Sequence, residues 1–416
     1  MKNNIAVMIL AAGKGVRMRS DTPKVLHKIC GRPMLDYVLD LARDLKFKKT
    51  VIVLGHRHQE VKKFIKPPVR ITIQKKLLGT ADAAKTALNS LKGFKGTVLV
   101  LYGDIPLLKK ETIKGLLKYH QENMMDATVL TSRLEAPSGY GRILRDKYAG
   151  VCGIKEEKDA DDFEKDIKEI NTGIICFDKD KLYSALSQVR PNNRKKEYYL
   201  TDIISIFYKK GYLVGGYRLA DAVEALGINS RRDLARVNRI MQKRINEGLM
   251  EKGVALVAPE FTFISYGTKI GPDTVIYPFT VIEGNVKIGK HCQIGPFAHL
   301  REGTVISDGA LVGNFVETAR TAISSRTLAK HFCYLGDSRI GKDSNIGAGT
   351  VTANFDGRNK HITRIGDKVF IGSDTVLVAP VEVARGAKTG AGSVIIKNVS
   401  SGTTVVGVPA KPLKSV

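Results

Sequence analysis

Along residues 270–312 an aliphatic side chain returns at every sixth position: Ile270, Ile276, Ile282, Ile288, Ile294, Leu300, Ile306 and Val312. A strand alternates with period two and a helix repeats near 3.6, so neither accounts for a period of six. The period fits a solenoid of triangular coils, six residues to a side, with one aliphatic side chain per side turned inward and stacked on the coil below. Gly271, Gly289, Gly295 and Gly313 supply small residues for tight corners. The phase slips between Val312 and Ile340, resumes at Ile340 and Ile346, and breaks again across residues 354–364. It returns at Ile365, Ile371, Leu377, Val383, Thr389 and Ile395. The pattern predicts a left-handed parallel β-helix of hexapeptide repeats running to about residue 400, interrupted by a loop near 354–364. Loops that break a regular solenoid are where function concentrates.

The first ~225 residues follow a different pattern. Apolar runs at Ile5–Leu10, Thr50–Leu54 and Thr97–Tyr102 read as buried parallel strands. Helical stretches such as Met34–Leu45 and Thr80–Leu91 lie between them. This alternation predicts an α/β, Rossmann-like open sheet with helices on both faces and ligands at the carboxyl ends of its strands. Between Asn229 and Lys252, the residues Leu234, Val237, Met241, Ile245 and Leu249 fall on one helical face. The expected organisation is an α/β domain over 1–225, a linker helix over 226–250 and the solenoid over 251–416.

Composition narrows the function classes. A hydrophobic content of 43% supports real cores, and no apolar run approaches the roughly 20 residues that span a bilayer. The five cysteines are scattered, with no CxxC pair, so neither a disulfide framework nor a zinc site is indicated and a reducing cytoplasm fits. Net charge is +26, but lysine and arginine are spread in ones, twos and threes, with no basic tail and no tryptophan. The reading is a solvated basic surface that favours small anionic substrates rather than nucleic acid or membrane.

Directly after the first strand comes Leu10-Ala11-Ala12-Gly13-Lys14-Gly15-Val16-Arg17-Met18, then Pro23-Lys24-Val25-Leu26. Small residues let backbone N–H groups approach phosphate oxygens, and Arg17 and Lys24 add fixed positive charge. The run meets neither the Walker A pattern nor GxGxxG. It resembles the LAAGxGxRM…PK motif of sugar-phosphate nucleotidylyltransferases. Gln74 with Leu78-Gly79-Thr80-Ala81, and Tyr102-Gly103-Asp104 at a strand tip, extend the likeness. So do Gly139-Tyr140-Gly141-Arg142, Glu156, Asn171-Thr172-Gly173, Glu197-Tyr198-Tyr199-Leu200-Thr201-Asp202 and Gly227-Ile228-Asn229. Over essentially its whole length the chain resembles the bifunctional N-acetylglucosamine-1-phosphate uridyltransferase/glucosamine-1-phosphate N-acetyltransferase family. For the first half the resemblance implies uridylyl transfer from UTP. Leu10, Ala11, Ala12, Gly13, Gln74, Gly79, Thr80, Tyr102 and Gly103 would line the nucleotide, and Gly141, Glu156 and Asn171 would hold the sugar. Arg17 and Lys24 would stabilise charge on phosphate, while Asp104 and Asn229 would hold Mg²⁺.

In the slipped part of the solenoid stand Ala329-Lys330-His331-Phe332-Cys333-Tyr334-Leu335-Gly336-Asp337, Asn345-Ile346-Gly347-Ala348-Gly349 and Asn354-Phe355-Asp356-Gly357. Amide formation on a sugar amine needs a base for the amine proton and an N–H for the oxyanion. The resemblance assigns the base to His331 and the N–H to Ala348. It gives the acceptor sugar to Tyr334, Asn345 and Asn354 with Arg301 near its phosphate, and acetyl-CoA to a groove at Ser373 and Ala391. It also implies a homotrimer. The chain departs from the family at three places. A lysine expected two residues after Glu317 is Ala319, followed by Arg320. The tyrosine of the Asn-Tyr-Asp-Gly loop is Phe355. A basic residue expected near Val408 is missing, with Lys411 and Lys414 close by. Two alternatives stay open on these residues: a nucleotidyltransferase whose solenoid is silent or acetylates another acceptor, and a non-enzymatic scaffold of the same two parts.

Overall fold

The computed structural model describes residues 4–413. The chain divides into two compact units: the segment to Ile29 with Pro33–Val237, and Cys30–Arg32 with the chain from Asn238 onward.

The first unit is built on a sheet in the order Val214–Arg218, Ala127–Arg133, Glu169–Asp178, Thr97–Tyr102, Ile5–Ala11, Lys49–Leu54, Arg70–Ile73. Ile5–Ala11 lies at its centre, parallel to Lys49–Leu54 and to Thr97–Tyr102, as its unbroken apolar run requires. Ile5 to Ile9 are at most 2% exposed, and Val98 to Leu101 are fully covered. Helices Met34–Asp44 and Thr80–Leu88 form where expected, the second ending in a tighter turn over Asn89–Leu91. The sheet is not wholly parallel. Glu169–Asp178 runs antiparallel to both of its neighbours. A short antiparallel pair, Arg142–Arg145 with Val151–Lys155, hangs from it. That insert brings Gly141 and Glu156 to the carboxyl end of the sheet.

The second unit is a left-handed parallel β-helix. Strands of two or three residues stack in register, Val275–Ile276 on Gln293–Ile294 and Lys287–Ile288 on Val305–Ile306. Each of the eight phased aliphatic residues is buried, none above 9% exposed. Each such side chain contributes roughly 1.5–3 kcal/mol of burial. The phase slip has a plain cause. Early coils take 18 residues, Ile276 pairing with Ile294. Val312 pairs with Ala329 and Ile323 with Ile340, so these coils take 17. The missing inward positions are threonines, Thr318 and Thr352, both fully buried. Their hydroxyls meet Thr304 Oγ1 at 3.0 Å and the Gly336 carbonyl at 3.0 Å, so a frame sought only in aliphatic residues loses them. The loop of 354–364 leaves the coil as expected, Ile340 pairing directly with Ile365. The solenoid also runs past residue 400: Thr404–Val406 stacks on Lys388–Thr389, and Lys411–Pro412 folds back against it. Lys414 lies outside the described residues.

Helix Arg231–Met250 carries the predicted stripe, with Val237, Met241 and Leu249 buried and Ile245 packed on the solenoid core. Among the described residues no helix is long and apolar enough to cross a membrane.

Candidate active sites

The carboxyl end of the first sheet opens into a cavity of about 530 Å³. Leu10, Ala11, Ala12, Gly13, Gln74, Gly79, Thr80, Tyr102 and Asp104 line it, together with Lys14, Gly15, Val16, Lys24, Val25, Leu77, Ala83 and Glu197. Eight of the nine residues expected around the nucleotide, all but Gly103, thus share one cavity with Lys24 and Asp104. Gly13 forms a bare patch of its wall: a Cβ placed there would meet nothing within 4 Å. Gly79 is required for another reason. Its φ is +121°, and a Cβ would fall 2.5 Å from the Tyr198 carbonyl. That close approach straps Glu197–Thr201 against Leu78–Ala81, with Tyr198 N donating to Leu78 O at 2.8 Å and Ala81 N to Tyr198 O at 2.9 Å.

Lys24 sits on a short turn after Pro23, mostly covered. Its ammonium forms an ion pair with Asp104 and donates to Asn229 Oδ1 at 2.8 Å. Two long-range contacts place those oxygens. Gly103 N donates to Leu10 O at 2.9 Å, and Ile228 N donates to Asp104 O at 3.0 Å. Asp233 then fixes Asn229, accepting from its N–H at 3.0 Å and from Ser230 N at 2.8 Å. A carboxylate and an amide oxygen converging on one cation are the hard donors that Mg²⁺ takes alongside phosphate oxygens and water. The residues therefore fit the ion. Asn229 belongs to this site although it lies beyond the domain boundary expected at 225. Arg17 does not join the lining; it is exposed on the turn Val16–Met18.

The three residues expected to hold the sugar also gather. Asn171 N donates to Gly141 O at 2.8 Å, and a Cβ on Gly141 would lie 3.5 Å from Lys155 O, next to Glu156. The Asn171 carboxamide oxygen accepts from Gly173 N at 2.9 Å. Glu156 accepts from Thr201 Oγ1 at 3.0 Å. Burial raises its carboxyl pKa above the ordinary value, and the Thr201 hydroxyl opposes the rise. Burial also pushes the Tyr102 phenol up, helped by Glu156 and then Asp104, so Tyr102 stands between the two groups of residues. Sequence reading gave Thr201 and Asp233 no role; Thr201 meets a partner 45 residues away that its local sequence does not signal, whereas Asp233 closes a capping box with Ser230 that the Ser-x-x-Asp spacing does signal.

In the solenoid, His331 lies exposed on strand Leu328–Gly336, beside Asn314 in the adjacent coil. Tyr334 and Asn354 meet over Gly336, where a Cβ would fall 2.6 Å from the Tyr334 hydroxyl and 2.8 Å from Asn354 Nδ2. Asn354 donates to Asp337, which also takes a forked pair from Arg320 at 2.6 and 2.7 Å. The Arg320 guanidinium holds the Asp337 carboxyl below its usual range. Ala319 is fully covered, so neither it nor the already paired Arg320 presents a free cation here. Ala348, Ser373 and Ala391 occupy equivalent corners of successive coils, since Ile346 pairs with Ile371 and Phe370 with Lys388. Asp374 N donates to Ala348 O at 2.6 Å and Gly392 N to Ser373 O at 2.8 Å, making a continuous column. Arg301 is ion-paired with Glu317 at 3.0 Å, and Asn345 sits on its strand beside Leu328. Among the described residues no hydrogen bond joins His331 to Tyr334, Asn345 or Asn354. One chain thus gathers most of the nucleotide residues in one cavity and leaves the solenoid residues dispersed.

A family model described as a MobA-like NTP transferase domain matches residues 7–243. Models of the bacterial transferase hexapeptide match 267–302 and 285–320, and one of the hexapeptide repeat of succinyl-transferase matches 362–397. The bifunctional protein GlmU of Pelobacter propionicus is 42% identical across 97% of this chain and 95% of that protein. The bifunctional protein GlmU of Halalkalibacterium halodurans is 41% identical across 96% of this chain and 95% of its own. The bifunctional protein GlmU of Streptococcus mutans is 40% identical across 96% and 94%.

Proposed function

The chain belongs to the bifunctional GlmU family, and from that premise we propose that it makes UDP-N-acetylglucosamine through two separate sites. In the solenoid, the amine of glucosamine 1-phosphate attacks the thioester carbonyl carbon of acetyl-CoA. His331 takes the amine proton, the Ala348 N–H steadies the oxyanion, the C–S bond breaks and the coenzyme A thiolate leaves. In the α/β unit, a phosphate oxygen of N-acetylglucosamine 1-phosphate attacks the α-phosphorus of UTP. The bond from that phosphorus to the bridging oxygen breaks, and pyrophosphate leaves.

The observation that carries the reading is Lys24 held between Asp104 and Asn229 in the cavity behind Gly13. Such chemistry needs charge and position more than covalent help. Gly13 lets backbone approach the triphosphate, Lys24 draws charge from it, and Gly141, Glu156 and Asn171 orient the sugar. Arg17, exposed on its turn, reaches the phosphates from outside the lining. Asp104 and Asn229 would hold Mg²⁺, which when bound neutralises phosphate charge. Tyr334, Asn345, Asn354 and Arg301 take the acceptor of the other reaction, and Ser373 and Ala391 take acetyl-CoA.

Association through the solenoid as a homotrimer completes the second site. Phe261, Phe279, Phe297 and Phe315 support this. They stack down one corner with ring centroids 5.3, 5.0 and 5.0 Å apart. Each is about half exposed, an apolar stripe that symmetric assembly would cover. Five free cysteines with no disulfide accord with a cytoplasmic setting.

The test is a pair of assays of the full chain, reading pyrophosphate from UTP with N-acetylglucosamine 1-phosphate supplied and free thiol from acetyl-CoA with glucosamine 1-phosphate supplied. Asp104→Ala should abolish the first signal and spare the second; His331→Ala should do the reverse. Pyrophosphate release without thiol release in the unaltered chain would favour the alternative of a silent or differently directed solenoid.

A further inference from the structure

Gln74 is 4% exposed and lines the nucleotide cavity with Leu77, Gly79 and Thr80. Which of its amide atoms faces that cavity decides which base it accepts, and the residues behind it answer the question. Gln74 Nε2 donates to Gly79 O at 3.0 Å and to Asp82 Oδ2 at 2.7 Å. A backbone carbonyl and an ionised carboxylate are both acceptors only, so the atom that faces them is the NH₂ group. The reverse flip would set an amide oxygen against two other oxygens. With both N–H bonds committed, the group that Gln74 has left for a ligand is Oε1.

Asp82 is not part of the cavity wall. It stands in the first turn of helix Thr80–Leu88, on the side of Gln74 away from the ligand space. We infer that Asp82 is a positioning residue for base selection. By pinning the Gln74 amide it fixes an acceptor toward the base. The cavity then takes a pyrimidine whose ring N3 carries hydrogen, as in uracil, and rejects cytosine, whose N3 is itself an acceptor. The bond to Asp82 is charge-assisted and stronger than the neutral bond to Gly79. Without it, one neutral bond would hold the orientation against a bound cytosine.

This rests on the reading of the α/β unit as a uridylyl transferase, and the experiment separates the two. The full chain is assayed for pyrophosphate release with N-acetylglucosamine 1-phosphate, comparing kcat/KM for UTP and for CTP. Asp82→Ala should lower the UTP/CTP ratio tenfold or more, UTP falling while CTP holds or rises. Asp82→Asn keeps an acceptor oxygen in place and should restore most of the ratio. A ratio within threefold of the unaltered chain in Asp82→Ala would overturn the inference, as would an equal fall for both nucleotides, which is what a merely structural role predicts. If the unaltered chain released no pyrophosphate from UTP but did so from another nucleotide, the underlying reading would fail instead.

Discussion

At the scale of single residues, the proposed chemistry of the α/β unit depends on a side chain that is missing. Gly13 puts no Cβ into open space, where a triphosphate is proposed to lie. Its φ is outside the left-handed region, so Gly13→Ala should fold normally, its Tm within a few degrees of the unaltered chain. The added methyl should instead raise KM for UTP, roughly tenfold or more, with kcat less affected. A variant that melted early with unchanged KM would show Gly13 to be structural. Asp202, by contrast, carries a burden. Burial first, then the Glu156 and Asp159 carboxylates, push its pKa up to about 6. The unfolded value lies near 3.9, so between the two the folded chain holds the extra proton. Its contribution to stability therefore falls as pH rises through about 4 to 6 and stays low above that. Asp202→Asn should melt like the unaltered chain near pH 4 and be more stable at pH 8, by about 1–3 kcal/mol. Equal melting at both pH values would place the penalty elsewhere. The glycine run, Lys24 and Asp104 were legible because each sits in its own short run, residues 10–18, 23–26 and 102–104. Asp82 and Thr201 were not, because their bonds to Gln74 and Glu156 are defined only in the folded chain, whereas the bonds of Asp233 follow from the local Ser230-x-x-Asp233 spacing.

At the scale of elements, the solenoid shows how much a periodic pattern conveys and where it stops. Period six was legible because every coil face needs an inward apolar contact. The phase slips because the steps from Thr318 to Ile323 and from Leu335 to Ile340 are each one residue short of six, which makes these coils 17 residues long. The buried threonines also brace the corners. Thr327 is fully covered and donates to the Gly341 carbonyl of the next coil at 2.6 Å. Thr327→Val keeps the shape and removes the donor, so it should cost about 1–3 kcal/mol, the range for leaving a buried polar group unpaired. Ile276→Val, which removes one methylene from the same core, should cost only about 0.5–1.5 kcal/mol. The denaturant midpoint of the solenoid transition measures both. If Thr327→Val proved the milder of the two, the hydroxyl column would not be holding the corners. In the α/β unit the antiparallel strand Glu169–Asp178 was not legible, since a buried strand presents the same apolar run whichever way it points.

At the scale of the molecule, the two sites differ in what they need. Eight of the nine residues expected around the nucleotide line one cavity with Lys24 and Asp104, while Gly103, Arg17 and Asn229 lie outside that lining but within the same unit of one chain. The residues proposed for acetyl transfer stay dispersed over one solenoid, with Tyr334 and Asn354 together, Ala348, Ser373 and Ala391 in a column, and His331 exposed on its strand. A general base must come within hydrogen-bonding reach of the proton it removes. The proposed trimer supplies the missing proximity, and the phenylalanine ladder is the apolar surface best placed to drive it. Phe297 is the middle of that ladder, stacked on Phe279 and Phe315 and 46% exposed, so its side chain is not needed by the coil's own core. Phe297→Glu puts a charge where association would have to desolvate it, a cost of several kcal/mol per subunit contact. The expected outcome is a folded monomer by light scattering at micromolar concentration. Thiol release from acetyl-CoA should fall at least a hundredfold, and pyrophosphate release from UTP should stay within about twofold of the unaltered chain. A monomer that kept full acetyl transfer would mean that one solenoid suffices, and a variant that stayed trimeric would move the interface to another face of the coil.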